Sequence, residues 1–136
     1  MPAIAAIAEA KAYFAQIAPR ADGISTEVDS DIQFRDCGGN LESIRCPICD
    51  ADLPTDWWHD QLDEAWKPGF DLQPITTSCG HVVDSLNALT YYFDQGFSRF
   101  IVNAMNPKIG MPLSEGQTAQ FEVILGCPVK VIYRHL

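Results

Sequence analysis

Four residues of this chain have the types and the spacing to hold a metal ion. Cys46 and Cys49 stand in "CPIC", and Cys79 and His81 stand in "SCGH", with Cys79 falling 30 positions after Cys49. A C-x-x-C pair on a tight turn lets two thiolates reach one ion while neighbouring amides point at the sulfurs, and the proline supports that turn. One such pair is a weak signal; a second thiolate with an imidazole makes a Cys3His set, which zinc fills as a closed, tetrahedral, structural ion. Only one residue separates Cys79 from His81, tighter than a two-residue knuckle, so the fourth ligand stays open between His81, Cys37, His59, Asp52 and a water. The competing reading is that these cysteines are small buried residues. Cys127, after Gly126 and before a proline, reads as a core thiol.

The elements that must position this set follow from periodicity and punctuation. Residues 3 to 18 read as a helix, with Pro2 in the first turn, alanines inside and Ile4, Ile7, Phe14 and Ile17 as the apolar face, ended by Pro19. "PRADGISTEVDSD" reads as a turn-rich connection. "IQFRDCGGNLESIRC" predicts two short strands around Gly38-Gly39-Asn40, delivering the chain into Cys46. A second helix starts near Thr55 or Asp56 and stops at Lys67-Pro68-Gly69, with Trp58, Leu62, Ala65 and Trp66 as its stripe. That helix would lay Trp58 and Trp66 over the metal site, and Trp57 falls off the stripe.

"DLQPITTSC" then runs extended into Cys79. "ALTYYF", Asp94-Gln95-Gly96 and "FSRFIVNAM" predict a hairpin whose second strand, apolar on both parities, is central and covered on both faces. The last helix has a capping box, Ser114 with Gln117, a stripe of Phe121, Ile124 and Leu125, and Gly126 at its end. "PVKVIYRHL" reads as a closing strand. The fold class is α+β in a single domain over residues 1 to 136: an N-terminal helix, ribbon-like knuckles within about residues 37 to 83, and a mixed sheet carrying the capped C-terminal helix.

Composition narrows the function. The chain has 136 residues, 47% of them hydrophobic, and a formal net charge of −9, the composition of a globular protein with a real core. Residues 1 to 66 hold thirteen acids and four bases, and residues 67 to 136 hold five of each. The acidity lies in the first half, so duplex DNA or RNA is a poor partner and a basic protein surface a good one. The only basic group of note, Lys130, Arg134 and His135, is small. No apolar run reaches the roughly 20 residues of a membrane span. The N-terminus has no basic leader, and five cysteines, an odd number, argue against a disulfide framework. The expected compartment is the cytosol.

"CPIC" with "CGH" looks like the two knuckles of a zinc ribbon. With "GFSRFIVNAMNP" and "LGCPVKVIYRHL" downstream, the chain from Cys46 onward resembles small bacterial proteins of uncharacterised function that carry a zinc-binding cysteine pair. The resemblance implies a metal site and supplies no activity. On the residues themselves, the leading reading is a non-catalytic interaction protein with structural zinc, of inhibitor or immunity type, contacting a basic partner through Trp57, Asp60, Asp63 and Glu64. A thiol redox enzyme using Cys46 and Cys49 is the second, set back by Asp50, Asp52 and Pro54 where such sites open a helix. A zinc hydrolase, with His59 or Asp60 as base, is the third, and a nucleic-acid-binding ribbon the fourth. Serine-hydrolase elbows, phosphate loops and dinucleotide turns have no motif support.

Overall fold

Runs of good helix formers with a one-sided apolar face become helices here, and most of what lies between them becomes short strands. The computed structural model describes residues 2 to 66, 69 to 109 and 112 to 134. In chain order the elements are α1 (Ile4–Ile17), β1 (Gly23–Arg35), β2 (Ser43–Arg45), α2 (Thr55–Ala65), β3 (Ile75–Thr76), β4 (Val82–Val83), a 3-10 turn (Leu86–Ala88), β5 (Thr90–Tyr92), β6 (Gly96–Met105) and α3 (Glu115–Leu125). The class is α+β. The strands form three two-stranded sheets, β1 with β6, β2 with β5 and β3 with β4. The chain divides into two compact units, Met1–Asp29 with Arg99–Val131 and Ser30–Ser98 with Ile132–Leu136.

In the first unit, Ala10, Phe121 and Leu125 form the buried centre, with Tyr13, Phe14, Ile17, Phe100 and Val102 around them. Ala10 has no bulk to keep α3 away, and the Phe121 ring meets Tyr13 at 5.0 Å and Phe14 at 5.3 Å, both edge-on. Ile4, assigned to this face by its spacing, is 88% exposed. At 100° per residue it lies about 120° around the helix from Ala10, beyond the edge of the buried stripe. The cap grammar of α3 holds in full. The Ser114 hydroxyl accepts from the Gln117 amide at 3.1 Å, the Gln117 side chain accepts from the Ser114 amide at 2.9 Å, and Gly126 closes the helix at φ 72°.

The second unit is built around Ile44, Cys46, Leu53, Trp58, Val83, Leu86, Leu89, Tyr91 and Phe97. Phe34 lies against Trp58, Phe70 and Phe97. Two buried polar groups of this core are paired in series: Trp58 Nε1 donates to the Tyr91 hydroxyl at 3.1 Å, which donates to the Leu86 carbonyl at 2.6 Å. Burial pushes the Tyr91 hydroxyl well above its ordinary pKa. Gly69 is required where α2 returns to β1, because a Cβ there would sit 2.6 Å from the Asp31 Cβ. The adjacent Phe70 amide donates to the Ile32 carbonyl at 3.0 Å.

Several sequence expectations give way to non-local pairing. The segment read as a connection is the first half of β1, in which Ile24, Thr26 and Val28 supply β-branched residues among the turn formers. The strands on either side of Gly38-Gly39-Asn40 do not form a hairpin. β2 pairs antiparallel with β5 instead, Ser43 opposite Tyr92 and Arg45 opposite Thr90. The predicted β5–β6 hairpin is absent for the same reason, and its turn is held elsewhere: the buried Gln95 Oε1 accepts from the Cys37 amide at 3.4 Å and its thiol at 3.5 Å. β6 is not a central strand; it is apolar on both parities because Phe97 enters one core and Phe100 and Val102 the other.

Residues 128 to 134 are irregular, so no strand follows α3 among the described residues. His135 and Leu136 lie outside them, as do Lys67 and Pro68 of the expected stop to α2, which ends at Ala65. No described helix is long and apolar enough to cross a membrane.

Candidate metal centre

The first knuckle grows out of β2. Cys46 donates its amide to the Ala51 carbonyl at 3.0 Å and accepts from the Asp50 amide at 2.9 Å, closing a six-residue loop in which Asp50 takes φ 59°. Arg45 clamps the loop from outside. Its guanidinium donates to the Asp50 carbonyl at 3.1 Å and lies 3.4 Å from the Asp52 carboxylate. Asp52, considered as a ligand, is engaged in that ion pair instead.

The second knuckle is the turn of the β3–β4 hairpin. Its register, Ile75 opposite Val83 and Thr76 opposite Val82, places residues 77 to 81 in the loop. The Thr77 amide donates to the His81 carbonyl at 2.8 Å and the Gly80 amide to the Thr77 carbonyl at 2.9 Å. Gly80 sits at φ 92°, a left-handed conformation that costs glycine least. That turn answers the unusual spacing: with Gly80 reversing the chain, one intervening residue suffices to bring the Cys79 sulfur and the His81 ring to the same side.

The ligand atoms of Cys46, Cys49, Cys79 and His81 all lie within 4.8 Å of one another, a cluster able to hold a metal ion. His81 Nδ1 is 3.5 Å from the Cys79 sulfur and 3.8 Å from that of Cys46, and the sulfurs of Cys49 and Cys79 are 3.6 Å apart. Cys46 faces inward at 1% exposure, while Cys49 and Cys79 are exposed. Cys37 is elsewhere, fully buried on Gln95, and desolvation raises its pKa. His59 is also outside the cluster, its ring 5.3 Å from that of Trp58.

The electrostatics of the sulfurs differ. Burial opposes ionisation of Cys46, but the amides of Cys49 and Ile48 outweigh it, and its pKa is lowered. Cys79 is lowered chiefly by the Thr77 hydroxyl, 3.0 Å from its sulfur. Cys49 gains from the Ala51 amide yet is raised overall by desolvation and by the other two sulfurs. Three thiolates this close repel one another, and a cation among them removes that penalty. Thr77 is the residue the motif did not reveal. It is 3% exposed, and its hydroxyl accepts from the His81 amide at 3.0 Å while facing the Cys79 sulfur. Its only mark in the sequence is a hydroxyl two positions before the cysteine in "TTSCGH".

Trp58 packs in the same core as Cys46, as the stripe predicts. Trp66 does not cover the site; it follows the last turn of α2 in extended backbone and is 61% exposed. Trp57 packs half-buried against the core, and Asp60, Asp63 and Glu64 are exposed on α2. Cys127 is exposed rather than a core thiol, because Gly126 turns the chain off the end of α3 before its side chain can reach the helix pair. Of the small basic group, Arg134 is paired with Asp36 at 3.1 Å. No protein-family model matches the chain, and no curated protein or solved structure matches it.

Proposed function

We propose that this chain is a zinc-binding protein whose ion is structural, and that it acts without catalysis by docking on a basic protein partner. The observation that carries the metal reading is the spacing of the four ligand atoms. Tetrahedral zinc with bonds of about 2.3 Å to sulfur and about 2.05 Å to nitrogen requires ligand separations of about 3.8 Å between sulfurs and about 3.6 Å from sulfur to nitrogen. The structure has 3.6 Å between the sulfurs of Cys49 and Cys79, and 3.5 and 3.8 Å from His81 Nδ1 to those of Cys79 and Cys46. Four protein ligands close the coordination sphere, which favours a structural over a hydrolytic role. Amides directed at the sulfurs of Cys46, Cys49 and Cys79 favour bound thiolates.

Elemental mass spectrometry of the purified protein tests this. About one zinc per chain is expected, lost in His81→Ala and kept in Cys37→Ala; a metal-free native protein overturns the reading. The docking surface is supported by Asp60, Asp63 and Glu64 on α2, with Trp66 rather than Trp57 as the exposed aromatic beside them. Neutralising the three acids is expected to weaken the complex with a captured basic partner and flatten its salt dependence. Unchanged affinity counts against this surface.

A further inference from the structure

The same cluster contains an asymmetry that a purely structural ion does not need. Two of its sulfurs, Cys49 and Cys79, are exposed and 3.6 Å apart, and they come from different knuckles; the third, Cys46, is buried. We propose that Cys49 and Cys79 are a two-electron oxidation site for hydroperoxides, forming a disulfide across the two knuckles and releasing the metal. The inference rests on the zinc reading for its metal-release half and on the thiol geometry alone for its disulfide half.

The pairing is specific. In "CPIC" sequences the expected partner of Cys49 is Cys46, three residues away, but Cys46 is 1% exposed, buried among the core residues that include Trp58 and Leu53, with only its sulfur edge turned to the cluster. Its loop is fixed by the bonds between residues 46, 50 and 51 and by the Arg45 clamp. Cys79 and Cys49 are open to a peroxide from solvent, whereas Cys46 is 1% exposed. Thr77 supports Cys79 as the attacking sulfur, since its hydroxyl lies 3.0 Å away.

The chemistry balances with these two thiolates, one hydrogen peroxide and two protons taken from solvent. The Cys79 sulfur attacks a peroxide oxygen: an S–O bond forms, the O–O bond breaks, and the departing hydroxide takes a proton to become water. Cys49 then attacks the resulting sulfenic acid. The S–S bond forms, the S–O bond breaks, and the second hydroxide leaves as water. The two sulfurs lose two electrons and the peroxide is reduced to two waters. Cys46 and His81 remain as a two-ligand remnant, too few to retain a tetrahedral ion. The disulfide takes over the ion's mechanical role, because it ties the same loop to the same hairpin.

The test uses the full-length, metal-loaded protein with one equivalent of hydrogen peroxide. Released zinc is read with a chromogenic chelator, and disulfides are mapped by non-reducing peptide mass spectrometry. One zinc per peroxide, with the Cys49 and Cys79 peptides joined, is expected, and reduction with dithiothreitol should restore binding. Cys127→Ser should behave as the native chain does. Oxidised protein should melt above reduced protein stripped by a chelator. A Cys46–Cys49 link, a disulfide through Cys127, or retention of metal alongside the disulfide would each overturn the proposal. If the native protein carries no metal, the zinc reading fails by itself. The mapping still decides the pair: a Cys49–Cys79 link on the metal-free chain sustains the oxidation site, and any other link removes it.

Discussion

The two units cover apolar surface by different means. The Met1–Asp29 and Arg99–Val131 unit sets α1, 14 residues long, beside α3, 11 residues long, and its core is the seam between them. The Ser30–Ser98 unit has α2 and the ends of β1 and β6 that fall within it, but otherwise relies on β2, β3, β4 and β5, which are two or three residues each. Strands that short make too few ladder hydrogen bonds to hold themselves, so their stability has to come from side chains. An aromatic cluster provides it, and on the zinc reading proposed above an ion held by the four-ligand cluster adds a staple, the usual remedy for a small core. Regular elements carry their own instructions; irregular ones borrow theirs from distant residues.

The largest test of that contrast is metal removal. Structural zinc in small domains contributes on the order of 10 kcal/mol of apparent binding energy at neutral pH. Chelation should therefore collapse amide-exchange protection across residues 43 to 53 and 75 to 83 while α1 and α3 stay protected. Equal loss in both units would break the comparison. Acid should act in the same direction: Cys46 and Cys79 have lowered pKa values, so their contribution is present above the ordinary thiol range and is lost as pH falls through their folded values.

Next in size is Trp58→Ala, which removes a buried ring and the donor to Tyr91. It should cost about 3 to 5 kcal/mol in the second unit, read from denaturant dependence of exchange at core amides, with α1 and α3 unaffected. Phe121→Ala should give the mirror result in the first unit. A smaller effect, about 1 kcal/mol, is expected for Ser114→Ala, which deletes the α3 cap, and Ser114→Asp should recover most of it. The smallest concerns Asp22, whose carboxyl is held below its usual range by hydrogen bonds from Lys108 and Asn106. Its stabilising effect is present above the ordinary carboxylate pKa and fades as pH falls through the folded value. In Lys108→Met the Asp22 titration followed by NMR should move up toward the ordinary value.

What the sequence revealed follows the same division. Ser114, Gln117 and Gly126 announce α3 because capping is settled within a few residues. "CPIC" and "SCGH" announce the cluster because ligand chemistry restricts residue type more than position. The partners of the strands were not legible. Nothing in "SIR" says that it will lie against "TYY" rather than "QFR", since that choice depends on Gln95 reaching Cys37 and on Phe97 entering the Trp58 core. The exposure of Trp66 was hidden likewise: its spacing continues the α2 stripe, but the backbone has already left the helix at that residue.

The placement of the tryptophans has a spectroscopic consequence. All three, Trp57, Trp58 and Trp66, fall between Ser30 and Ser98, and the other unit contains none. Intrinsic tryptophan emission is therefore a gauge of one unit only, with Trp58 as the shielded, blue-emitting fluorophore and Trp66 as the water-quenchable one. Far-ultraviolet ellipticity is weighted the other way, since α1 and α3 supply most of the helical residues. Two optical signals from a single unlabelled sample thus follow the two units separately, and iodide quenching of Trp66 would report anything that comes to rest on α2.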